Sequence, residues 1–248
     1  MGVRVLYFGA RYYDSDISVW LSVDPMSDKH PDYSPYSYVY NNPLNLVDPW
    51  GEDSIQLNRD GTTNIISTTK DDFDVYVATD KKGNLDKSKT HILNHDDVQD
   101  KRTNEVEYNT GKQDNNGNDI YAKTDLDEYD IKDYDVAKDF FEFAADNTDV
   151  EWSHNIVGNS NRSIITTSHL KDSELGGGFL FQNGYTLKDR RHSHPYGPKA
   201  SRDDKDNARD YYNKKFPKML NYIYHKKNYY QFNYKWTSLK QNQTPTKY

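Results

Sequence analysis

Between Leu187 and Asp204 the chain runs LKDRRHSHPYGPKASRDD. The first half alternates in the manner of a strand, and Pro195 with Gly197-Pro198 ends it in a loop. Ser201 followed by Asp204 marks a helix start, because a Ser hydroxyl and a carboxylate three residues on can satisfy the first free amides. His192 and His194, two apart on a strand, point to the same side, so both imidazoles can reach one zinc ion. A carboxylate brought in by the following helix would supply a third ligand and leave a fourth position for water. That is the layout of a catalytic zinc site rather than a structural one.

Working outward, a helix is expected upstream. Asp133 or Asp135 can cap it, Val136, Ala137, Phe140, Phe141, Phe143 and Ala144 recur near 3.6-residue spacing, and Asp146-Asn147 ends it. Next come Val150-Glu151-Trp152 and β-rich stretches at 163–169, 176–183 and 184–195. A second helix is expected over 201–215, then a hairpin of 219–225 and 228–236 turning at Lys226-Lys227-Asn228. Together these predict an α+β fold with a C-terminal domain at 134–248. Gly176-Gly177-Gly178 lacks any phosphate-loop spacing and reads as a flexible turn. His154 and His169 read as satisfied strand-end histidines, and the alternating tyrosines of the final hairpin as cross-strand packing.

Before that domain the chain changes character. Residues 1–51 are rich in aromatics and proline, with turn signals at Asp24-Pro25 and Asp48-Pro49, and predict a turn-rich β module. Residues 52–93, with Asp60-Gly61 and Lys82-Gly83-Asn84 between alternating apolar residues, predict a β meander. Residues 94–133 are polar and read as a linker or mobile loop.

Composition narrows the chemistry. The 248 residues contain no cysteine, which excludes disulfides, thiolate metal sites and a cysteine nucleophile. The net charge of −7 is spread along the chain and disfavours wholesale nucleic-acid binding. No apolar run reaches membrane-spanning length, and the first residues lack the apolar stretch of a signal peptide, so no membrane partner is expected. Leu, Ile, Val and Phe number only 47 of the 248 residues, but 22 tyrosines supply amphipathic bulk for ordered modules.

The N-terminal module carries a resemblance. Tyr7-Phe8-Gly9-Ala10-Arg11-Tyr12-Tyr13-Asp14, Trp20-Leu21-Ser22 with Asp24-Pro25, Tyr36-Ser37-Tyr38, Asn41-Asn42-Pro43-Leu44 and Asp48-Pro49-Trp50-Gly51 occur in order. This run resembles the Rhs repeat-associated core of Rhs/YD-repeat polymorphic toxins, which closes a shell ahead of a variable effector. The resemblance implies a core segment followed by its cargo, an upstream Rhs shell, a cognate immunity protein, and delivery by a specialised secretion system into a neighbouring cell's cytoplasm. The family's self-cleavage is linked to a pair of Asp-Pro-x-Gly motifs. Here the first lacks its glycine (Asp24-Pro25-Met26-Ser27) and Glu52 stands where leucine is often seen, so cleavage by this chain alone is not expected.

The C-terminal stretch carries a second resemblance. His192-Ser193-His194-Pro195 with Ser201-x-x-Asp204 resembles the JAB/MPN (JAMM) metalloprotease motif, and residues 134–236 resemble the JAB-like toxin domains found behind Rhs cores. The likeness implies an α-β-α fold and a zinc peptidase or isopeptidase acting on a protein substrate, including conjugated proteins. It implies zinc bound by His192, His194 and Asp204, with Ser201 helping to hold the oxyanion or water. Nine residues separate His194 from Asp204, one fewer than usual, which leaves Asp203 and Asp206 as alternative ligands. The family's glutamate base falls best on Glu151, with Glu174 in a loop and Glu142 in mid-helix as competitors. Two other readings stay open: a metal-dependent nuclease, since Arg190, Arg191, Lys199, Arg202 and Lys205 surround the site, and an inactive core and cargo remnant.

Overall fold

The computed structural model describes residues 5–7, 11–23, 34–38, 53–67, 72–158, 162–213 and 219–235. The chain divides into two compact units, one of Met1–Asn58 and Thr63–Asp96, the other of Arg59–Thr62 and Asp97–Tyr248.

In the first unit a small antiparallel sheet is formed by β1 (Val5–Tyr7), β2 (Tyr12–Asp14) and β3 (Val19–Trp20). Tyr13, Trp20 and Tyr38 pack ring on ring at 4.5–5.5 Å, and the Arg11 guanidinium sits 4.3 Å from the Trp20 ring. Aromatic contact thus replaces the aliphatic core that the sequence lacks. Asp24-Pro25, Asn41 to Leu44 and Asp48 to Gly51, with Glu52, lie outside the described residues.

A second sheet contains β4 (Asp53–Leu57), β5 (Thr63–Ser67), β6 (Phe73–Thr79) and β7 (Leu85–Asn94), in the order β5-β4-β6-β7. It is not the expected meander, because β4 and β6 run parallel as neighbours. The reason lies in β6. Val75, Tyr76, Val77 and Ala78 are all buried, so this strand needs a partner on each edge, while the exposed Ile65 of β5 suits an outer strand.

The stretch read as a linker is instead a long hairpin, β8 (Val98–Gln113) and β9 (Asp119–Ile131), paired antiparallel. Its polarity is that of a ribbon wet on most of its surface, which composition alone cannot distinguish from a loop. Cross-strand pairs hold it, among them Lys123 with Glu105 at 2.6 Å and Thr103 with Asp127 at 2.6 Å. The tip, Asp114-Asn115-Asn116-Gly117-Asn118, closes on the Asp114 carboxylate, which accepts the Asn116 and Asn118 amides, and Gly117 takes φ +82°. Asp80 to Asn84 builds the same turn between β6 and β7.

Beyond the hairpin, α1 (Tyr134–Asn147) begins where expected. Asp133 is the cap, accepting the Asp135 and Val136 amides at 2.8 and 3.1 Å. Its buried stripe of Tyr134, Ala137, Phe140, Phe141 and Ala144 faces the sheet, and Arg59 donates to the Asn147 carbonyl at the opposite end. The sheet runs β14-β13-β12-β10-β11-β9-β8, adding β10 (Trp152–Val157), β11 (Ser163–Thr167), β12 (Leu187–Ser193), β13 (Leu220–His225) and β14 (Asn228–Phe232). The β13–β14 turn is Lys226-Lys227, both residues at positive φ.

Alternation along the strands sorts side chains to two covered faces. Trp152, His154 and Tyr224 lie on the α1 face, where Phe140 and Phe141 meet them ring to ring. On the other face Val157, Ile164 and Leu187 meet Leu180 of α2 (Gly176–Gln182), and Ile223 and Phe232 meet Ala208 of α3 (Arg202–Asn213). The result is the expected α-β-α layering within an α+β chain. His154 sits in mid-strand, fully buried, and its tautomer follows from its partners: Arg191 Nη1, donor only, lies 3.2 Å from Nδ1, so Nε2 carries the proton toward Ser163 Oγ at 2.8 Å.

The glycine run is a further correction, since Gly176–Gln182 is a helix rather than a turn or strand. Glu174 explains it. Its carboxylate accepts the Gly176 and Gly177 amides and the Thr166 hydroxyl, and it pairs with Arg190 at 2.7 Å. A Cβ on Gly176 would lie 1.8 Å from Thr166 Oγ1, and one on Gly177 would lie 2.4 Å from Arg190 Nε. Alanine normally favours a helix over glycine by about 1 kcal/mol. Here the clash reverses the sign, and Gly176→Ala is expected to lose about 1–3 kcal/mol in urea unfolding.

Candidate metal centre

Strand β12 delivers His192 and helix α3 delivers Asp204, so the site lies where the two elements meet. His192 Nε2 is 3.0 Å from His194 Nε2 and 2.9 Å from Asp204 Oδ1, and His194 Nε2 is 3.4 Å from Asp204 Oδ2. The three side chains can each offer one atom within 4.8 Å of the others. Ligands of a tetrahedral zinc, at 2.0–2.1 Å from the ion, stand about 3.3 Å apart. The donor set and its spacings therefore fit zinc.

The protonation states fit as well. Burial pushes the His192 imidazole below its usual range, against the pull of the Asp204 carboxylate, so it is neutral with a lone pair to give. Burial alone would raise the Asp204 carboxyl, but the two imidazoles beside it hold it far below the usual carboxylate range. Neutral imidazole and ionised carboxylate are the forms a metal takes.

The backbone is tied down around these ligands. Ser193 Oγ accepts the Trp152 amide at 2.9 Å, joining β12 to the residue after Glu151. His194 donates its amide to Tyr224 O at 3.0 Å, and its carbonyl lies 2.6 Å from His225 Nδ1. Ser201 and Asp204 form a reciprocal cap. Ser201 N donates to Asp204 Oδ2 at 2.7 Å, Asp204 N donates to Ser201 Oγ at 3.0 Å, and the Ser201 hydroxyl donates back to Oδ2 at 2.8 Å. The residue that completes the cap is also the one that faces the two imidazoles.

Glu151 stands next to this group, its Oε1 3.5 Å from His194 Nε2. Three bonds fix its position: Glu151 N to Leu170 O at 2.8 Å, Thr167 Oγ1 to Glu151 O at 3.0 Å, and the Trp152–Ser193 bond. Burial first, then the charges of Asp204 and Glu174, push its carboxyl up to about 9, with Arg190 opposing. Glu151, His194, Ser201 and Asp204 line a cleft of about 470 Å³.

The competitors fall elsewhere. Glu174 is spent on α2 and Arg190, and the Arg190 charge draws its carboxyl below the usual range despite full burial. Glu142 takes Tyr229 OH at 2.8 Å and Lys138 at 3.0 Å. Asp203 is exposed at the rim of the cleft, and Asp206 pairs with Arg209 at 3.0 Å, so neither meets the imidazoles. His169 pairs with Asp127 at 3.3 Å. Of the basic residues near the motif, Arg190 and Arg191 are buried in pairs with Glu174 and Asp189. Sequence reasoning missed the Ser193 tether and the Glu174–Arg190 pair. The sequence signal for that pair was an acidic residue, Glu174, just ahead of the run Gly176-Gly177-Gly178.

Two outcomes follow. Metal analysis of protein prepared without chelator should return about one zinc per chain, lost in His192→Ala/His194→Ala; no zinc and no uptake on titration would remove the metal site. In metal-free protein Glu151 binds its proton more tightly folded than unfolded, so its contribution is complete below the unfolded value of 4.5 and is lost as pH rises toward about 9. Glutamine mimics the protonated acid. Glu151→Gln should therefore gain stability over the parent steadily across that window in urea unfolding at stepped pH.

All five of these residues, Glu151, His192, His194, Ser201 and Asp204, fall within residues 129–215, which match the sequence model of the JAB-like toxin 1 family. No curated protein matches the chain, and no solved structure does. The family match and the His-His-Asp group together support a toxin whose C-terminal part carries a JAB-like domain.

Proposed function

We propose that the C-terminal domain is a zinc-dependent peptidase or isopeptidase of JAMM type, acting as an antibacterial effector. The observation that carries this reading is the buried acid Glu151 set 3.5 Å from His194, beside a three-ligand group that opens on a cleft. Zinc held by His192, His194 and Asp204 would lower the pKa of a water and polarise the substrate carbonyl.

The protein's own residues then handle the proton. Glu151 takes it from the attacking water and passes it to the leaving nitrogen, so that the C–O bond forms, the C–N bond breaks and the amine departs neutral. The Glu151 carboxyl, which burial keeps protonated in the metal-free protein, would be able to act as a base once a cation held by His192, His194 and Asp204 offset the negative charges around it. Ser201 orients Asp204 in the resting site. Asp204 Oδ2 keeps the Ser201 amide as a donor, so the hydroxyl can turn from it toward the developing oxyanion.

A nuclease needs cations free to meet phosphates. Burial of Arg190 and Arg191 in ion pairs removes two of the five basic residues near the motif, and this favours the peptidase reading. The N-terminal motifs support the remaining proposals: an Rhs core segment, an upstream shell in the complete toxin, delivery into a neighbouring cell's cytoplasm, and a cognate immunity protein.

The test is expression in a bacterial cytoplasm with mass-spectrometric mapping of new protein termini and new isopeptide breaks. The parent should arrest growth and generate a discrete set of cuts. Glu151→Gln should lower them by about 10²–10⁴-fold while keeping its zinc and its melting temperature. Equal cutting by Glu151→Gln would remove the residue from its role, and arrest without any protein cleavage would overturn the peptidase reading.

A further inference from the structure

Two cavities flank the segment that follows the second ligand. The larger, about 470 Å³, holds the buried Glu151 and Asp204 and is rimmed by exposed residues that include Lys171, Asp172, Lys199 and Asp203. The smaller, about 180 Å³, is lined by Arg59, Asp149, Tyr224 and Lys226 among others. His194, Pro195 and Tyr196 line both. Room therefore exists at both cavities that meet the His194–Tyr196 segment, as a chain continuing in both directions from a scissile bond requires.

The segment between the cavities is built unusually. Tyr196 is 71% exposed and makes no hydrogen bond or ring contact among the described residues. Prolines at 195 and 198 hold φ on both sides of it. Gly197 has no structural need to be glycine. Its φ is not in the left-handed region, and a Cβ built there meets nothing within 4 Å. Its missing side chain leaves open space in the cleft beside an exposed aromatic ring carried on a proline-flanked backbone. The rim is balanced, two lysines against two aspartates, and offers no excess of charge to a polyanion.

We propose that Tyr196 and Gly197 form a specificity subsite for an apolar side chain of an extended peptide lying across the metal centre. The substrate class is then a peptide strand with an aromatic or branched apolar residue next to the bond that is cut. This rests on the peptidase reading above. The ring supplies a flat apolar wall with little conformational entropy to lose, and Gly197 supplies the space beside it.

The test separates binding from cleavage. Zinc-loaded Glu151→Gln protein is immobilised and challenged with a pool of peptides from digested bacterial cytosol, and the retained peptides are sequenced. Retained peptides should be enriched in Phe, Tyr, Leu and Ile over the pool. Adding Tyr196→Ala or Gly197→Leu should lower retention by about 10-fold, and Tyr196→Phe should preserve it, with zinc content and melting temperature unchanged throughout. Absence of retained peptides, absence of apolar enrichment, or equal retention by Tyr196→Ala would each overturn the subsite. The same peptides are then offered to protein with Glu151 restored. Retention without cleavage overturns the peptidase reading while the subsite stands, and cleavage with a pattern unchanged in Tyr196→Ala overturns the subsite alone.

Discussion

The antiparallel pairing of β10 with β12, which sets Ser153 opposite His192, is the constraint on which the centre depends. A strand pair has a period of two, so a slip by one residue would carry His192 to the α1 face and bring Arg191 into its place. Several buried contacts fix the register against that slip. Ser193 holds the Trp152 amide, Arg191 reaches across to His154, and Ser153 bonds Thr166 on the next strand at 2.6 Å. Together these contacts decide which carboxylate meets which imidazole.

Charge buried under the centre has a comparable role. Removing a carboxylate or guanidinium from water costs several kcal/mol, and a close pair recovers that only with good geometry and further hydrogen bonds. Glu174 meets the condition through two glycine amides, a threonine hydroxyl and Arg190. An apolar pair of equal volume could hold the layers as firmly. It would leave the start of α2 uncapped, and it would remove Arg190, whose charge opposes the rise in the Glu151 carboxyl.

Much of the architecture was legible because it follows from periodic signals. The Phe-rich stripe behind Asp133, the His-x-His alternation, and the Ser-x-x-Asp start of α3 each combine a local preference with a tertiary role, so α1, β12 and α3 fall where they were expected. What was not legible depended on contacts distant in sequence. The ribbon of β8 and β9 looks like a linker because its faces are wet, and its pairing rests on cross-strand side chains that composition does not record. The crossing of β6 past β5 to lie beside β4 follows from burial on two faces, visible only once the sheet exists. The glycine helix depends on Glu174 arriving from a loop and Arg190 from β12. That Asp204 rather than Asp203 or Asp206 stands beside the imidazoles follows from the cap register, and the loop from Pro195 to Ala200 lies outside any regular element.

The reciprocal cap at Ser201 and Asp204 has a consequence for when the three donors can come together. Asp204 is aimed at the imidazoles only while the first turn of α3 is coiled, since the bonds that aim it are the bonds that start the helix. An extended chain keeps both histidines but presents no third donor, and Glu151 is then separated from them by a long stretch of solvated polymer. The three-donor group belongs to the native conformation alone, and whatever keeps the segment uncoiled keeps that group unassembled.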